Sequence, residues 1–194
     1  MLKKLLATVS TLASAWRSKT SRHSSRILCG CLGLFFATIA YADTTYQSPD
    51  DFAREAIPQD AAQPPLKPSV LWLDKSIQDD ISKILGHTYP QARLRYWRKD
   101  NTSVWILEEI GKEYPITAGF IISDDQILRA QVLIYRETRG MEIHLPAFLN
   151  QFKGNKLDKD KLTQKVDGIS GATMSVNAMV KMAQVALLLN RKAQ

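Results

Sequence analysis

Short stretches of alternating apolar and polar residues fill residues 92–136 and constrain the fold most strongly. Alternation with a period of two is typical of half-buried β-strands. It predicts four strands: Arg93–Trp97, Ser103–Leu107, Tyr114–Ile122 and Gln126–Tyr135. The last two strands are joined by a short polar turn, Ser123–Asp125, so we expect a meander of about four antiparallel strands.

Helices are predicted on both sides of this meander. Leu73–Leu85 has apolar residues at helical spacing, with Asp74 near its start and Gly86 as its stop. Leu145–Phe152 is a shorter candidate, and Thr173–Arg191 carries an apolar stripe wide enough to indicate burial against a sheet. The sequence therefore predicts an α+β fold, in which an antiparallel meander sheet of about four or more strands packs against helices, one of them long and C-terminal.

The positive charge of the chain is concentrated at its N-terminus. The 194 residues include 26 Lys and Arg against 19 Asp and Glu, a net charge of +7. Six of those cations and none of the anions lie in residues 1–42, which leaves 20 cations and 19 anions in residues 43–194. A body with a net charge of only +1 has no electrostatic reason to bind nucleic acid.

Residues 1–42 have the layout of a secretory signal peptide. An uncharged stretch, Ile27–Ala42, follows the basic region and ends in Ala40-Tyr41-Ala42, the small-x-small pattern that signal peptidase cleaves. We therefore predict cleavage after Ala42 and a periplasmic location. The alternative is an uncleaved membrane anchor through residues 27–42, although a helix of that length spans about 24 Å of the ~30 Å hydrocarbon core.

The predicted mature chain contains no cysteine, because Cys29 and Cys31 both lie in the leader. It can therefore form neither a disulfide nor a thiolate metal site. Its two histidines, His87 and His144, are interpreted as surface or hydrogen-bonded side chains, and no metal site is predicted.

After the leader, the chain is predicted to divide near residue 70. Residues 43–70 are polar and rich in proline, so they are interpreted as a linker or a loosely attached arm. Residues 71–194 are then the folded domain. Within it, the loop Lys156–Lys165 mixes basic and acidic residues and is interpreted as a solvated face.

A glycine-containing segment, Asp167-Gly168-Ile169-Ser170-Gly171-Ala172-Thr173, leads into the long C-terminal helix. Gly171 lets the backbone come close to a ligand. The first N–H groups of a helix lack intrahelical partners and carry partial positive charge, so the segment suits an anion beside the Thr173 hydroxyl. The alternative is an ordinary helix start with Ser170 or Thr173 as its N-cap.

Two motifs here resemble those of the FMN-binding domain family, which includes the periplasmic C and G subunits of sodium-pumping NADH:quinone oxidoreductases and of Rnf-type complexes. Asp167-x-x-Ser170-Gly171-Ala172-Thr173, followed by Ser175, resembles the family's flavinylation motif. Glu137-Thr138-Arg139-Gly140-Met141 resembles its Glu-Thr-Pro-Gly-Leu segment, with Arg139 in place of the usual proline. Gly140 is retained, and it can adopt a positive φ or let the flavin ring approach the backbone.

The resemblance implies a covalent FMN site. A flavin transferase would join the FMN phosphate to Thr173 as a phosphoester. The resemblance also implies cofactor contacts from Asp167, Ser170, Gly171, Ala172, Glu137, Thr138, Gly140 and Met141. No His or Cys base lies near Thr173 in the sequence, so attachment by an external enzyme is expected rather than self-modification, and no catalytic residue is predicted.

The resemblance further implies electron transfer. Covalent FMN would accept and pass electrons between periplasmic or membrane redox partner proteins, with the cofactor supplying the chemistry. One alternative is a flavin-dependent extracytoplasmic reductase that acts on a small diffusible acceptor. Another is a binding module without redox function, in which the motif is accidental.

Overall fold

An antiparallel sheet of six strands organises the molecule, whose computed structural model describes residues 43–57 and 67–194. The strands are Thr44–Thr45 (β1), Ser69–Trp72 (β2), Arg93–Lys99 (β3), Thr102–Ile110 (β4), Pro115–Ser123 (β5) and Gln126–Tyr135 (β6). They lie in the order β1-β6-β5-β4-β3-β2. The predicted meander is β3 to β6, and the short strands β1 and β2 form the two edges.

Four helices and a small hairpin complete the described part of the chain. The helices are Pro49–Ala56 (α1), Lys75–Leu85 (α2), Pro146–Leu149 (α3) and Thr173–Lys192 (α4), and the hairpin pairs Leu157–Asp158 (β7) with Lys161–Leu162 (β8). The predicted helix Leu145–Phe152 is a single α-helical turn, α3, flanked by the 3₁₀ turns Met141–His144 and Asn150–Phe152. The α+β class and the long C-terminal helix are confirmed.

The predicted helix Leu73–Leu85 is confirmed as α2, which begins two residues later than predicted, after the N-cap Asp74, and ends at the predicted residue. The Asp74 carboxylate accepts a hydrogen bond of 2.9 Å from the Ile77 N–H, which satisfies one of the open donors of the first turn. Gly86 ends the helix in the left-handed conformation, with φ of 79°.

The main core lies between α4 and one face of the sheet. The stripe of α4 includes Met179, Ala183 and Ala186, all fully buried, and it belongs to the same apolar cluster as Trp105 and Phe120 of the sheet. Burying each large side chain of this kind contributes about 1.5–3 kcal/mol to folding. Packing contacts along the whole of α4 therefore fix its position on the sheet. They also fix the position of its first residue, Thr173.

A buried polar cluster fixes the other end of α4. The Asn190 side chain accepts hydrogen bonds from Ser103 Oγ at 2.7 Å and from Arg98 Nη2 at 2.9 Å, and donates to Asp125 Oδ1 at 2.8 Å. Asn190 is buried, and both its side-chain oxygen and its side-chain nitrogen form hydrogen bonds, which favours one register over others. This cluster prevents α4 from sliding along the sheet.

The opposite face of the sheet carries α1. Phe52 is fully buried there, over Gly119 of β5: a Cβ on Gly119 would lie 2.3 Å from Phe52 Cε1. The expectation of a loosely attached arm is wrong for residues 43–57, because β1 pairs with β6 and α1 is docked on the sheet. One buried aromatic residue in a helix of 8 residues gives too little periodicity to be recognised from the sequence.

The expectation of a loosely attached arm over residues 43–70 is also wrong for its last residues. Ser69 and Val70 belong to β2, which pairs with β3 as an edge strand. Residues 58–66 lie outside the described residues.

The predicted signal peptide, residues 1–42, and the alternative anchor, residues 27–42, lie outside the described residues too. Across residues 43–57 and 67–194, no helix combines the length and the apolar character needed to cross a membrane.

Candidate functional site

The two motif segments meet in the structure. Gly140 has φ of +83°, and a Cβ built on it would lie 3.0 Å from Ala172 Cβ and 3.2 Å from Ser175 Oγ. A side chain here would be strained by the positive φ and crowded by these neighbours, so glycine fits this position best. The Glu137–Met141 segment after β6 is thus held against the start of α4.

The Tyr135 hydroxyl contacts both of these segments. Its hydroxyl donates a hydrogen bond of 2.5 Å to the Arg139 carbonyl oxygen and lies 3.1 Å from Ser175 Oγ. Because its one proton is used on Arg139, Ser175 donates to the Tyr135 oxygen. Burial raises the pKa of Tyr135 above its ordinary value, so the phenol keeps the proton that this arrangement requires.

Glu137 builds a second wall of the site. Its Oε1 accepts hydrogen bonds from three successive backbone N–H groups of the β4–β5 turn, those of Lys112 (2.5 Å), Glu113 (2.7 Å) and Tyr114 (3.0 Å). A carboxylate that accepts several backbone N–H bonds holds the turn firmly. The sequence indicated that Glu137 contacts the cofactor, whereas this oxygen is engaged with the protein backbone.

A cleft of about 480 Å³ lies between the turn, the segment after β6 and the start of α4. Its volume is within the ~300–1,000 Å³ range of small-molecule sites. Its lining is Lys112, Glu113, Glu137, Thr138, Arg139, Gly171, Ala172, Thr173, Met174 and Ser175.

The N-terminus of α4 opens into this cleft without a cap. Ala172 is the N-cap residue, no side chain caps the helix, and its first turn contains no acidic residue. The alternative in which Ser170 or Thr173 caps the helix is therefore wrong. Thr173 is instead the first helical residue, and it is exposed. Gly171, with φ of +81°, has nothing within 4 Å of its Cβ position, so its side of the cleft is open.

The predicted site residues fall into three groups. Those that line the cleft are Glu137, Thr138, Gly171, Ala172 and Thr173. Gly140 lies against two lining residues without lining the cleft itself. Asp167, Ser170 and Met141 are exposed and lie outside the lining, and the Asp167 N–H donates to Gln151 Oε1 at 2.7 Å, which ties down the loop before α4.

Sequence reasoning missed the β4–β5 turn. Lys112 and Glu113 line the cleft, yet they belong to neither motif. The order of strands in the predicted meander could have indicated that this turn lies near Glu137. In a meander the turn between the second and third strands lies at the same end of the sheet as the exit of the fourth strand, from which Glu137 follows.

A second cleft, of about 470 Å³, lies on the other side of Thr173. It is lined by Lys161, Leu162, Gln164, Lys165, Val166, Gly168, Thr173, Val176, Asn177, Val180 and Gln184. Thr173 is the residue that both clefts share. A larger hollow of about 720 Å³ on the α1 face of the sheet contains none of the predicted site residues.

The two histidines of this region are engaged elsewhere. His87 Nε2 lies 3.0 Å from Glu109 Oε1, and the His144 ring stacks on Tyr46 with centroids 4.5 Å apart. Neither lines the clefts beside Thr173. Among the described residues, no three or more His, Cys, Asp or Glu side chains are grouped to hold a metal ion.

These features define a small α+β domain with a ligand cleft at the uncapped start of its last helix. Residues 111–188 match the family model of the FMN-binding domain, so this segment is similar to that family. The matched residues include both motif segments and the β4–β5 turn, which contains Lys112. No curated protein matches the chain.

The residues of the cleft suit FMN. The flavin carries an anionic phosphate on a flexible side chain and a planar ring system. The uncapped N–H groups of α4 suit the phosphate. Arg139 adds positive charge to the walls, whereas Lys112 is paired with Glu113 at 3.7 Å. The open side at Gly171 leaves room for the flavin to reach Thr173.

Proposed function

We propose that this chain is an extracytoplasmic flavoprotein, which carries FMN as a phosphoester on Thr173 and passes electrons between redox partner proteins. The observation that carries the proposal is the exposed Thr173 at the uncapped start of α4, beside a cleft of about 480 Å³, in a domain similar to the FMN-binding domain family. The predicted leader, residues 1–42, supports a periplasmic location.

The start of α4 supplies the phosphate site. The first N–H groups of a helix lack intrahelical acceptors, and the residues that carry them here, Thr173, Met174 and Ser175, line the cleft. Their partial positive charge stabilises an anion by roughly 0.3–1 kcal/mol at an exposed helix end. Because no acidic side chain lies in this first turn, nothing there repels a phosphate ester on Thr173 Oγ.

Attachment requires a second protein. Forming the ester breaks the Thr173 Oγ–H bond and makes an Oγ–P bond, so a base must remove the proton and a leaving group must depart from phosphorus. The carboxylates of the cleft are Glu113 and Glu137, and Glu137 Oε1 is occupied by three N–H groups. A flavin transferase would supply the base and a flavin nucleotide activated as a phosphoanhydride.

The remaining cleft residues would hold and orient the ring. FMN supplies reversible acceptance of one or two electrons when bound. Tyr135, Ser175 and Gly140 keep the segment after β6 in a fixed position relative to Thr173, and Glu137 keeps the β4–β5 turn in place. Partners in the periplasm or at the membrane would exchange electrons through the open side of the cleft.

Co-expression with and without a flavin transferase tests the proposal. We expect the intact mass to increase by that of the FMN phosphoester only when the transferase is present, with flavin fluorescence that survives denaturation. The N-terminus of the same protein tests its location: a chain that begins at Asp43 in the periplasmic fraction supports the proposal. Full-length protein confined to membranes would favour the anchor instead.

A further inference from the structure

A lysine-rich surface lies beside the proposed attachment site. Five exposed lysines lie in and around the hairpin of β7 and β8, and we call them the lysine surface: Lys153, Lys156, Lys159, Lys161 and Lys165. The same stretch contains two acidic residues, Asp158 and Asp160. None of the five lysines makes an ion pair with a described residue, and they outnumber the two aspartates by three, so the surface keeps a positive excess.

Buried and hydrogen-bonded groups anchor the backbone under this surface. Asn155 is fully buried; its Oδ1 accepts from the Gln164 N–H at 2.8 Å and its Nδ2 donates to the Gln151 carbonyl oxygen at 2.9 Å. Arg191 of α4 donates to the Leu157 carbonyl oxygen at 2.6 Å. The residue Asn155 before the hairpin is thus bonded to the 3₁₀ turn Asn150–Phe152, and the hairpin itself is bonded to α4. The interpretation of Lys156–Lys165 as a solvated face agrees with the exposure of its lysines. The structure adds that hydrogen bonds anchor their backbone to the fold.

The lysine surface reaches the proposed flavin site. Lys161 and Lys165 line the 470 Å³ cleft together with Thr173. On the other side of Thr173, Met174 lines the 480 Å³ cleft and is 52% exposed. A cationic surface therefore borders the attachment residue on one side, and an exposed apolar side chain borders it on the other.

We propose that the lysine surface docks a redox partner protein through a carboxylate-rich face, beside the flavin. This inference rests on the proposed function and names the partner's chemistry. Positive charge next to a redox site steers an acidic partner into productive encounters and can raise association rates by roughly 10–10³-fold. Such steering acts locally, so it does not require a net charge beyond the near-neutral balance of residues 43–194.

A protein partner fits this surface better than a membrane. Amphipathic segments that lie in a membrane interface place apolar side chains beside their basic residues, so that the apolar groups enter the bilayer. In the hairpin, Leu157 is 5% exposed and Leu162 belongs to the residues packed on the core, so both are directed inward. The hairpin exposes two charges of each sign, on Asp158, Lys159, Asp160 and Lys161. The positive excess comes from the flanking Lys153, Lys156 and Lys165, and it matches a carboxylate-bearing protein surface.

Small redox reagents of opposite charge provide the first test. Holoprotein with reduced flavin would be mixed with hexacyanoferrate(III), an anion, or with hexaammineruthenium(III), a cation; each metal complex takes one electron from the flavin. The test variant is Lys161→Glu/Lys165→Glu. The control variant is Lys75→Glu/Lys83→Glu on the exposed side of α2, which changes the net charge equally outside both clefts.

We expect the test variant to slow oxidation by hexacyanoferrate(III) about tenfold at low salt and to accelerate oxidation by the ruthenium complex. The control should change both rates less than about twofold, and all differences should shrink at about 1 M salt, where the screening length is ~3 Å. Equal rates for the test variant and the wild-type protein would overturn the proposal.

Binding to poly-L-glutamate provides the second test and does not depend on the flavin. We expect salt-sensitive binding that the test variant loses and the control keeps, in the holoprotein and in flavin-free Thr173→Val protein alike. Lysine-dependent sedimentation with phosphatidylserine vesicles, without binding to poly-L-glutamate, would overturn the proposal in favour of a membrane. Absence of covalent flavin with poly-L-glutamate binding intact would count against the proposed function alone.

Discussion

Gly140 lies directly against Ala172, so close that a Cβ on Gly140 would be 3.0 Å from the Ala172 Cβ. The contact joins the segment that follows the last strand of the meander to the residue that begins α4. It also revises the sequence-based interpretation of this glycine. The positive φ is confirmed at +83°, but the missing side chain makes room for Ala172, Tyr135 and Ser175, and the space it leaves is filled by protein.

This contact predicts that Gly140→Ala is more destabilising than substitution at a glycine with similar backbone and free space. Gly86 has φ of +79° and nothing within 4 Å of its Cβ position, which makes Gly86→Ala the matched control. Each variant loses about 1–2 kcal/mol from the left-handed conformation, and Gly140→Ala loses a further ~1–3 kcal/mol from overpacking. Urea denaturation measures both losses. Equal losses would contradict the proposed contact.

Thr173→Val should abolish covalent flavin while the fold is retained. The substitution keeps the shape of the side chain and removes the only oxygen able to form the phosphoester. Since Ala172 is the N-cap and no side chain caps α4, little stability should be lost. Fluorescence of the denatured protein and circular dichroism report the two properties separately.

Two further variants complete the test at Thr173. Thr173→Ser should keep some flavin because it keeps the hydroxyl. Thr138→Val removes a different threonine hydroxyl from the same cleft and should leave attachment intact. Covalent flavin on Thr173→Val protein would place the attachment elsewhere.

Glu137→Ala should destabilise the domain even when no flavin is present. The substitution removes the acceptor of three backbone N–H groups in the β4–β5 turn, and a charge-assisted bond of this kind contributes about 1.5–3 kcal/mol. The measurement is the free energy of unfolding of Glu137→Ala in the Thr173→Val background. If the loss occurred only in the flavin-loaded protein, Glu137 would act mainly through the cofactor.

Docking of α1 predicts a coupled response at Phe52 and Gly119. Phe52→Ala should cost about 3–5 kcal/mol because a fully buried ring is removed. Gly119→Ala should also destabilise, since its Cβ would lie 2.3 Å from the ring. The double variant should lose less than the sum of the two, because without the ring the new methyl group meets no clash. Strict additivity would contradict the contact.

The pH dependence of stability should include a contribution from His87. Hydrogen bonding to Glu109, and then to the Thr88 carbonyl, raises the pKa of His87 above its ordinary value of 6.5. Because the folded-state pKa is the higher one, the contribution is complete below pH 6.5 and disappears as the pH rises through the folded-state value. The difference in unfolding free energy between wild type and His87→Gln should therefore shrink from acid to alkaline pH. A difference independent of pH would contradict this linkage.

Local signals were sufficient for most of the fold. Alternation predicted β3 to β6, and the Asp74 cap and the Gly86 stop predicted α2, because each feature depends on neighbours in the sequence. The docked α1 was not predictable in this way. Its burial depends on a space that Gly119 leaves in a strand far along the chain, and no periodic pattern reports such a space.

The same distinction between local sequence signals and long-range contacts applies to the candidate site. The sequence by itself determined the chemical groups: a threonine hydroxyl at the first position of a helix, a preceding glycine able to adopt positive φ, and a second segment with Gly140. Only the tertiary structure decided that Glu137 Oε1 accepts hydrogen bonds from the β4–β5 turn. It also decided that the lysine surface borders Thr173. Motifs record which groups a site needs within one stretch of chain. The partners that each group meets across the fold depend on how the sheet and helices pack, which no single stretch encodes.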